Sequence, residues 1–402
     1  MSIRAYPANW PYHDAVRAAA ARWQRRGLLL PTQRAALDAA HPVDYYQPVL
    51  FLRVGLFVAT LLGVGSVLLA LGVGLRLDSE VGLGVLALVG SLAGLELIIK
   101  NGRHYHSGVD MALLYSALLA WRFLVGYGMG KWLPYGYVQH FGGHYFWLTA
   151  HGTWPQLLLL LLAALLALAR YADPVVAAAT FGTALGLLAN VLLQFSFGQL
   201  LLPFAVMAAM AGLLVALSKP RTWKSYFYYR PSLLVLRTLA LATLYLAGNY
   251  LVVREGNAAL LGGYGPSPQV PLAPAFYVFT AVVPLLYLYL GLRRHDRLLL
   301  WLGVLAVAFS IFTVRYYRAL LPPEIAATLA GLLLMALSLA ALRYLRTPRH
   351  GLTAAADDEA APHFNLESLV MAQTAHVPAA PAADGFQFGG GQSGGGGSES
   401  SY

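Results

Sequence analysis

The chain is 402 residues long, 58% hydrophobic and only 11% charged, with a net charge of +10 and no cysteine. Soluble domains carry about 25% charged residues, so a water-soluble fold of this size is excluded for want of polar surface. Disulfides and thiolate metal sites are excluded with cysteine, and nucleic acid is not the implied partner, because the basic residues sit in particular loops and not along one polar face.

A mostly polar stretch of about 48 residues, with no secretory leader, precedes the first apolar run. Within it, Asp14–Gly27 predicts a helix closed by glycine, and Pro31–Ala40 predicts a second one opening on proline, the residue suited to a first helical turn. Residues 1–48 therefore read as a cytoplasmic helical hairpin, too short to hold a core of its own. It can serve as a docking element for a protein partner. Equally, it can lie on anionic lipid with Arg22, Arg25 and Arg26 at the headgroups, which asks for nothing beyond the bilayer.

A bilayer core of about 30 Å takes about 20 apolar residues of helix, and ten runs meet that need. They are Val49–Leu75, Val81–Ile99, Val109–Tyr127, Trp154–Ala169, Pro174–Leu193, Gln199–Leu217, Leu233–Val253, Ala275–Leu292, Leu298–Val314 and Ile325–Leu345. The expected fold is all-α: a polytopic transmembrane helical bundle of about ten spans over residues 49–345. In the second run Gly90 and Gly94 make a small-xxx-small face for close helix contact. Pro203 and Pro284 should kink the sixth and eighth.

Between the third and fourth runs, Gly128–Thr153 holds His140, His144 and His151 among many aromatics. Imidazole suits zinc, copper or nickel. However, Gly142 and Gly143 interrupt any helix that would align the first two histidines, and the stretch has no carboxylate. Aromatics at a membrane surface are ordinary interfacial anchors, so neither a metal site nor a cofactor is expected. Residues 346–402 turn to Ala, Pro and acidic residues and then to Gly and Ser, a composition that predicts a disordered cytoplasmic tail. The Gly-Gln-Ser-Gly around Ser393 falls in that tail, where it has no reason to act as a nucleophile motif.

Lys and Arg crowd alternate loops, 20 on one side against 5 on the other, with Arg122 and Arg237 inside runs. Cytoplasmic loops carry this excess, which predicts a plasma (inner) membrane protein with both termini in the cytoplasm.

Ionisable groups inside spans are functional candidates by default. At 1.5 Å per residue, Glu96 lies about 6 Å below the cytoplasmic boundary. Arg237 reaches the same depth from the same side, with Arg53 and Asp110 near it. These four read as one charged layer in which Glu96 pairs with Arg237 or Arg53. Arg122 lies nearer the other surface, where Asn190, Gln194, Gln199 and Asn249 offer carbonyl acceptors. Glu96, Arg237, Arg53, Asp110 and Arg122 are thus the candidates for a ligand or ion pathway; the alternative is interfacial charges plus helix–helix hydrogen bonds. Glu96 and Asp110 are the only acids in the runs, and there is no HExxH motif, Walker loop or GxSxG elbow. Acid–base catalysis has little to work with, so no enzyme is expected.

The segment Ala-Arg-Trp-Gln-Arg-Arg-Gly-Leu-Leu-Leu-Pro-Thr-Gln at 21–33, followed by 45–75, and Ser-Gly-Val-Asp-Met-Ala-Leu-Leu-Tyr at 107–115 resemble parts of a known group. It comprises uncharacterised bacterial predicted membrane proteins of the domain-of-unknown-function class, Bacteroidetes-like, in which a short helical hairpin precedes many spans. The resemblance covers about the first third of the chain, implies a bacterial inner membrane and carries no activity. The expected role is scaffolding, assembly or sensing. The competing expectation is a secondary transporter with two inverted five-span halves.

Overall fold

The computed structural model describes residues 4–74, 76, 79–132, 153–219, 223–260 and 267–317, with scattered positions between 325 and 347. Twelve helices are present among them. Two short ones, α1 (Asn9–Arg25) and α2 (Pro31–Ala40), precede α3 (Leu50–Gly74), α4 (Glu80–Gly102), α5 (Val109–Trp132) and α6 (Thr153–Tyr171). Then come α7 (Pro174–Leu193), α8 (Gly198–Ser218), α9 (Trp223–Gly248), α10 (Tyr250–Leu260), α11 (Ala273–Arg294) and α12 (Arg297–Tyr317). All but α1, α2 and α10 are long and apolar enough to cross a membrane. The chain is a multi-pass, all-α membrane protein in contact with lipid.

The first nine apolar runs fall on these helices. The tenth falls on residues described only at scattered positions, while His140, His144, His151 and nearly all of the tail lie outside the described residues. The seventh run was expected to be continuous to Val253; instead it breaks at Asn249, between α9 and α10.

Local chemistry explains the helix starts. Asp173 accepts the backbone N–H of Val175 at 2.8 Å and of Val176 at 2.9 Å, with Pro174 as the first helical residue of α7. Ser79 does the same for Gly82 at 2.8 Å. Connections of a few residues between α6 and α7, α7 and α8, and α11 and α12 make antiparallel helical hairpins. The helix α9 is the axle, packing against α1, α7, α8, α10, α11 and α12.

Lipid tails are as apolar as leucine, so helices in a bilayer associate by close packing of small residues. Ala112, Ala117, Ala177 and Ala240 are accordingly buried, while Leu69 and Leu166 point outwards. Of the expected glycine pair, Gly94 faces α5, where a Cβ would meet Leu113 at 3.7 Å, whereas Gly90 has nothing within 4 Å; Gly84 is tighter still, a Cβ there falling 2.8 Å from Leu124.

The amino-terminal segment is seated on the bundle. The Ala5 N–H donates to the Arg170 carbonyl at 2.9 Å. Tyr6 and Trp10 are buried in one cluster with Tyr45, Tyr105, Tyr171 and Tyr228. This burial is why α1 begins at Asn9, five residues before the predicted start. Asp38 clamps the hairpin, lying 3.4 Å from Arg17 and 3.5 Å from Arg34.

Candidate functional site

The candidate charges do not form one layer of mutual partners. At the end of the bundle that carries α1 and α2 they divide into separate pairs. Glu96, on α4, does not pair with Arg237 or Arg53. Its Oε1 accepts from Arg170 Nε at 2.8 Å, Arg170 Nη2 at 2.7 Å and the Tyr171 hydroxyl at 2.8 Å. The Lys100 ammonium stands 3.8 Å from Oε2. Arg170 and Tyr171 close the last turn of α6, which packs on α5 beside α4. Depth had matched Arg237 and Arg53 to Glu96; the partner is Arg170, the residue just past the fourth apolar run. Arg237, on α9, instead donates to Asp296 in the α11–α12 turn.

Asp110, in the first turn of α5, is 1% exposed. Its Oδ2 accepts from the Tyr6 hydroxyl at 2.7 Å and the His106 N–H at 2.8 Å, and its Oδ1 from the Ser107 N–H at 2.9 Å. A carboxylate so placed is stabilised by the helix N-terminus and by the phenol above it. Gly108 (φ +96°) lets this loop reach α3, since a Cβ there would collide with the Arg53 carbonyl. The Arg53 Nε is buried with no acceptor among the described residues.

Arg122 is exposed on α5. It gathers none of the expected amides: Asn190 accepts from Gln194 at 3.2 Å and Asn249 is engaged elsewhere. Among the described residues, no hydrogen bond or ion pair links Arg122 to Glu96, Arg237, Arg53 or Asp110.

A short relay also occurs in the α4–α5 loop. His104 Nδ1 lies 2.8 Å from Ser107 Oγ, which donates to Asp110 Oδ1 at 3.2 Å. Serine stands in the middle with its proton committed to Asp110, and it is fully buried, so no substrate reaches it. A hydrolytic triad needs the base between nucleophile and acid. Burial holds the neighbouring His106 below the ordinary imidazole range and, with Asp110, lifts the Tyr6 phenol well above its own. Among the described residues no cluster of three or more His, Asp or Glu could hold a metal ion.

The opposite end holds what the sequence reading missed. Asn249, fully buried at the α9–α10 break, accepts the N–H of Leu251 at 3.0 Å and thereby caps α10. Its amide nitrogen donates to Tyr245 and to Thr313 Oγ1, both at 3.0 Å. Tyr245 reaches the Ala306 carbonyl at 2.9 Å, and the Tyr250 N–H finds Thr280 Oγ1 at 3.0 Å. Non-helical backbone is tolerated at membrane depth where protein groups satisfy it, and neutral side chains do so here. The Gly248-Asn249 pair was the signal available in the sequence.

Beside this break lies a cavity of about 730 Å³ between α7, α8, α9, α10 and α11, within the range of small-molecule sites. Leu185, Val206, Leu246, Val253 and Phe276 make it apolar; Gln199 and Asn257 supply amides. Among the described residues, no charged side chain lines it.

No protein-family model, curated protein or solved structure matches this chain.

Proposed function

We propose that this is a non-enzymatic protein of a bacterial inner membrane, with both termini cytoplasmic, that senses an apolar ligand through the cavity at the α9–α10 break. The observation that carries the reading is a division of labour between the two ends. The acids Glu96, Asp110, Asp173 and Asp296 are held in pairs or caps at the hairpin end. The large uncharged cavity touches both sides of a helix break. A ligand there contacts α9 through Thr243 and Leu246 and α10 through Val252 and Asn257, so occupancy bears on the angle between them. The alternating Lys and Arg loops support the orientation. The Bacteroidetes-like resemblance supports the bacterial membrane.

A photoactivatable alkyl diazirine tests this reading with the purified protein. Gly182 and Gly256 line the cavity and have open space where a Cβ would stand. Labelling should concentrate on α8 and α10 and fall sharply in Gly182→Leu and Gly256→Leu. Labelling spread evenly over lipid-facing helices, unchanged by either substitution, would sink it.

The same break favours a second reading, a secondary transporter with inverted five-span halves, since such proteins bind substrates at discontinuous helices. Discharge of a sodium or proton gradient in proteoliposomes, abolished by Asn249→Leu, would move it ahead.

A further inference from the structure

A second cavity, of about 760 Å³, is an apolar groove between α4, α5 and α6, independent of the one at the helix break. Its walls include Leu88, Leu92, Leu118 and Leu162, and one end is rimmed by Glu96, Lys100, Arg170 and Tyr171. Lys100 is 66% exposed and stands too far from Glu96 for a hydrogen bond. Arg170 is spent on Glu96 at 2.7 Å. Two cations against one carboxylate leave one positive charge at the rim, carried by the exposed ammonium. From Lys100 to Leu88 is about 18 Å along α4, close to one leaflet of a hydrocarbon core of about 30 Å.

We propose that this groove is a binding site for one anionic phospholipid, its phosphodiester on Lys100 and an acyl chain along α4, α5 and α6. Charge and shape both select the occupant. The headgroup's single negative charge balances the rim, and basic pockets between spans recognise acidic headgroups in this way. A zwitterionic lipid brings its own cation to the ammonium, and a free phosphate leaves the apolar groove unfilled. The Glu96–Arg170 pair has a positioning role: it holds α4 and α6 at the separation that opens the groove.

The test uses the full chain in detergent, with native mass spectrometry after adding phosphatidylglycerol, phosphatidylcholine or inorganic phosphate. One phosphatidylglycerol should be retained per chain with about tenfold preference over phosphatidylcholine, the factor that about 1.4 kcal/mol gives. Inorganic phosphate should not compete. Lys100→Gln should remove the preference and Lys100→Arg should keep it; the exposure of this side chain leaves folding out of the question. Ala163→Trp, which fills the groove without touching its charges, should also remove it. Equal retention of the two lipids by the parent protein, competition by inorganic phosphate, or a preference that survives either Lys100→Gln or Ala163→Trp would overturn the proposal.

Discussion

Tyr6 donates its phenolic proton to Asp110 Oδ2 at 2.7 Å, across 104 positions of chain. The bond closes the buried end of α5 with a side chain from before the first helix. Hydrogen bonds to charged groups contribute about 1.5–3 kcal/mol, so Tyr6→Phe should destabilise the protein by about that amount in a denaturant titration in detergent. Tyr12→Phe, outside this contact, is the control and should cost far less.

Glu96 and Arg170 form the partly exposed ion pair of the same end, with side chains 25% and 36% exposed. Losing one partner leaves the other charge uncompensated. A double-mutant cycle with Glu96→Gln and Arg170→Gln should give a coupling of about 0.5–3 kcal/mol. The cycle of Glu96→Gln with Arg237→Gln should be additive, because Arg237 binds Asp296. Coupling in the second cycle and none in the first would contradict the pairing.

At the other end, Asn249→Ala removes the cap of α10 and one hydrogen bond each from Tyr245 and Thr313, which keep the Ala306 and Phe309 carbonyls as partners. Loss of a cap costs about 1 kcal/mol and each lost hydrogen bond about 0.5–1.5 more, so a drop of at least about 2 kcal/mol is expected. Thr313→Val, which leaves the cap in place, should cost less. Chemical denaturation of both variants orders the two effects.

The carboxyl of Glu255, on α10, accepts from Tyr317 at 2.5 Å and Ser267 at 2.7 Å. These bonds, Tyr317 first, hold it below its ordinary value of 4.5. A depressed folded-state value means the contribution is complete above about 4.5 and is lost as pH falls through the folded-state value. Tyr317→Phe should therefore lower stability most near pH 8, where the contribution is complete, and cost progressively less as pH falls through the acid range, giving a shallower acid limb. An unchanged acid limb would show that the bond does not act on Glu255.

Membrane orientation is checked with reporter fusions. Those after Lys100 and Asp296 should report cytoplasm, and those after Lys131 and Gly256 the far side, as the alternation of basic loops requires. A cytoplasmic signal at Lys131 would reverse the reading.

Much of the fold was legible because spanning a bilayer demands length and apolarity, and both are one-dimensional properties. Nine helices stand where hydropathy put them. What hydropathy averages away is a single polar residue acting locally. Asn249 sits in an apolar window that reads as continuous helix, yet its side chain captures backbone and ends α9. Depth along each run offered Arg237 and Arg53 as partners of Glu96, but depth leaves rotation about the bundle axis undetermined, and the partner is Arg170. The contact between Tyr6 and Asp110 was out of reach for another reason: neither periodicity nor charge marks a neutral phenol as the partner of a carboxylate.

The seating of the amino terminus also has a consequence for biosynthesis. Ala5 bonds to the carbonyl of Arg170, and the Arg4 guanidinium lies 5.4 Å from the ring centre of Tyr228. Residues 4–6 precede α6 and α9 in the chain, so these contacts form only after Arg170 and Tyr228 have been made. Until Tyr6 is seated, Asp110 lacks the phenol that covers it. This segment is therefore a late contact of the assembly, made back across the helices that follow it.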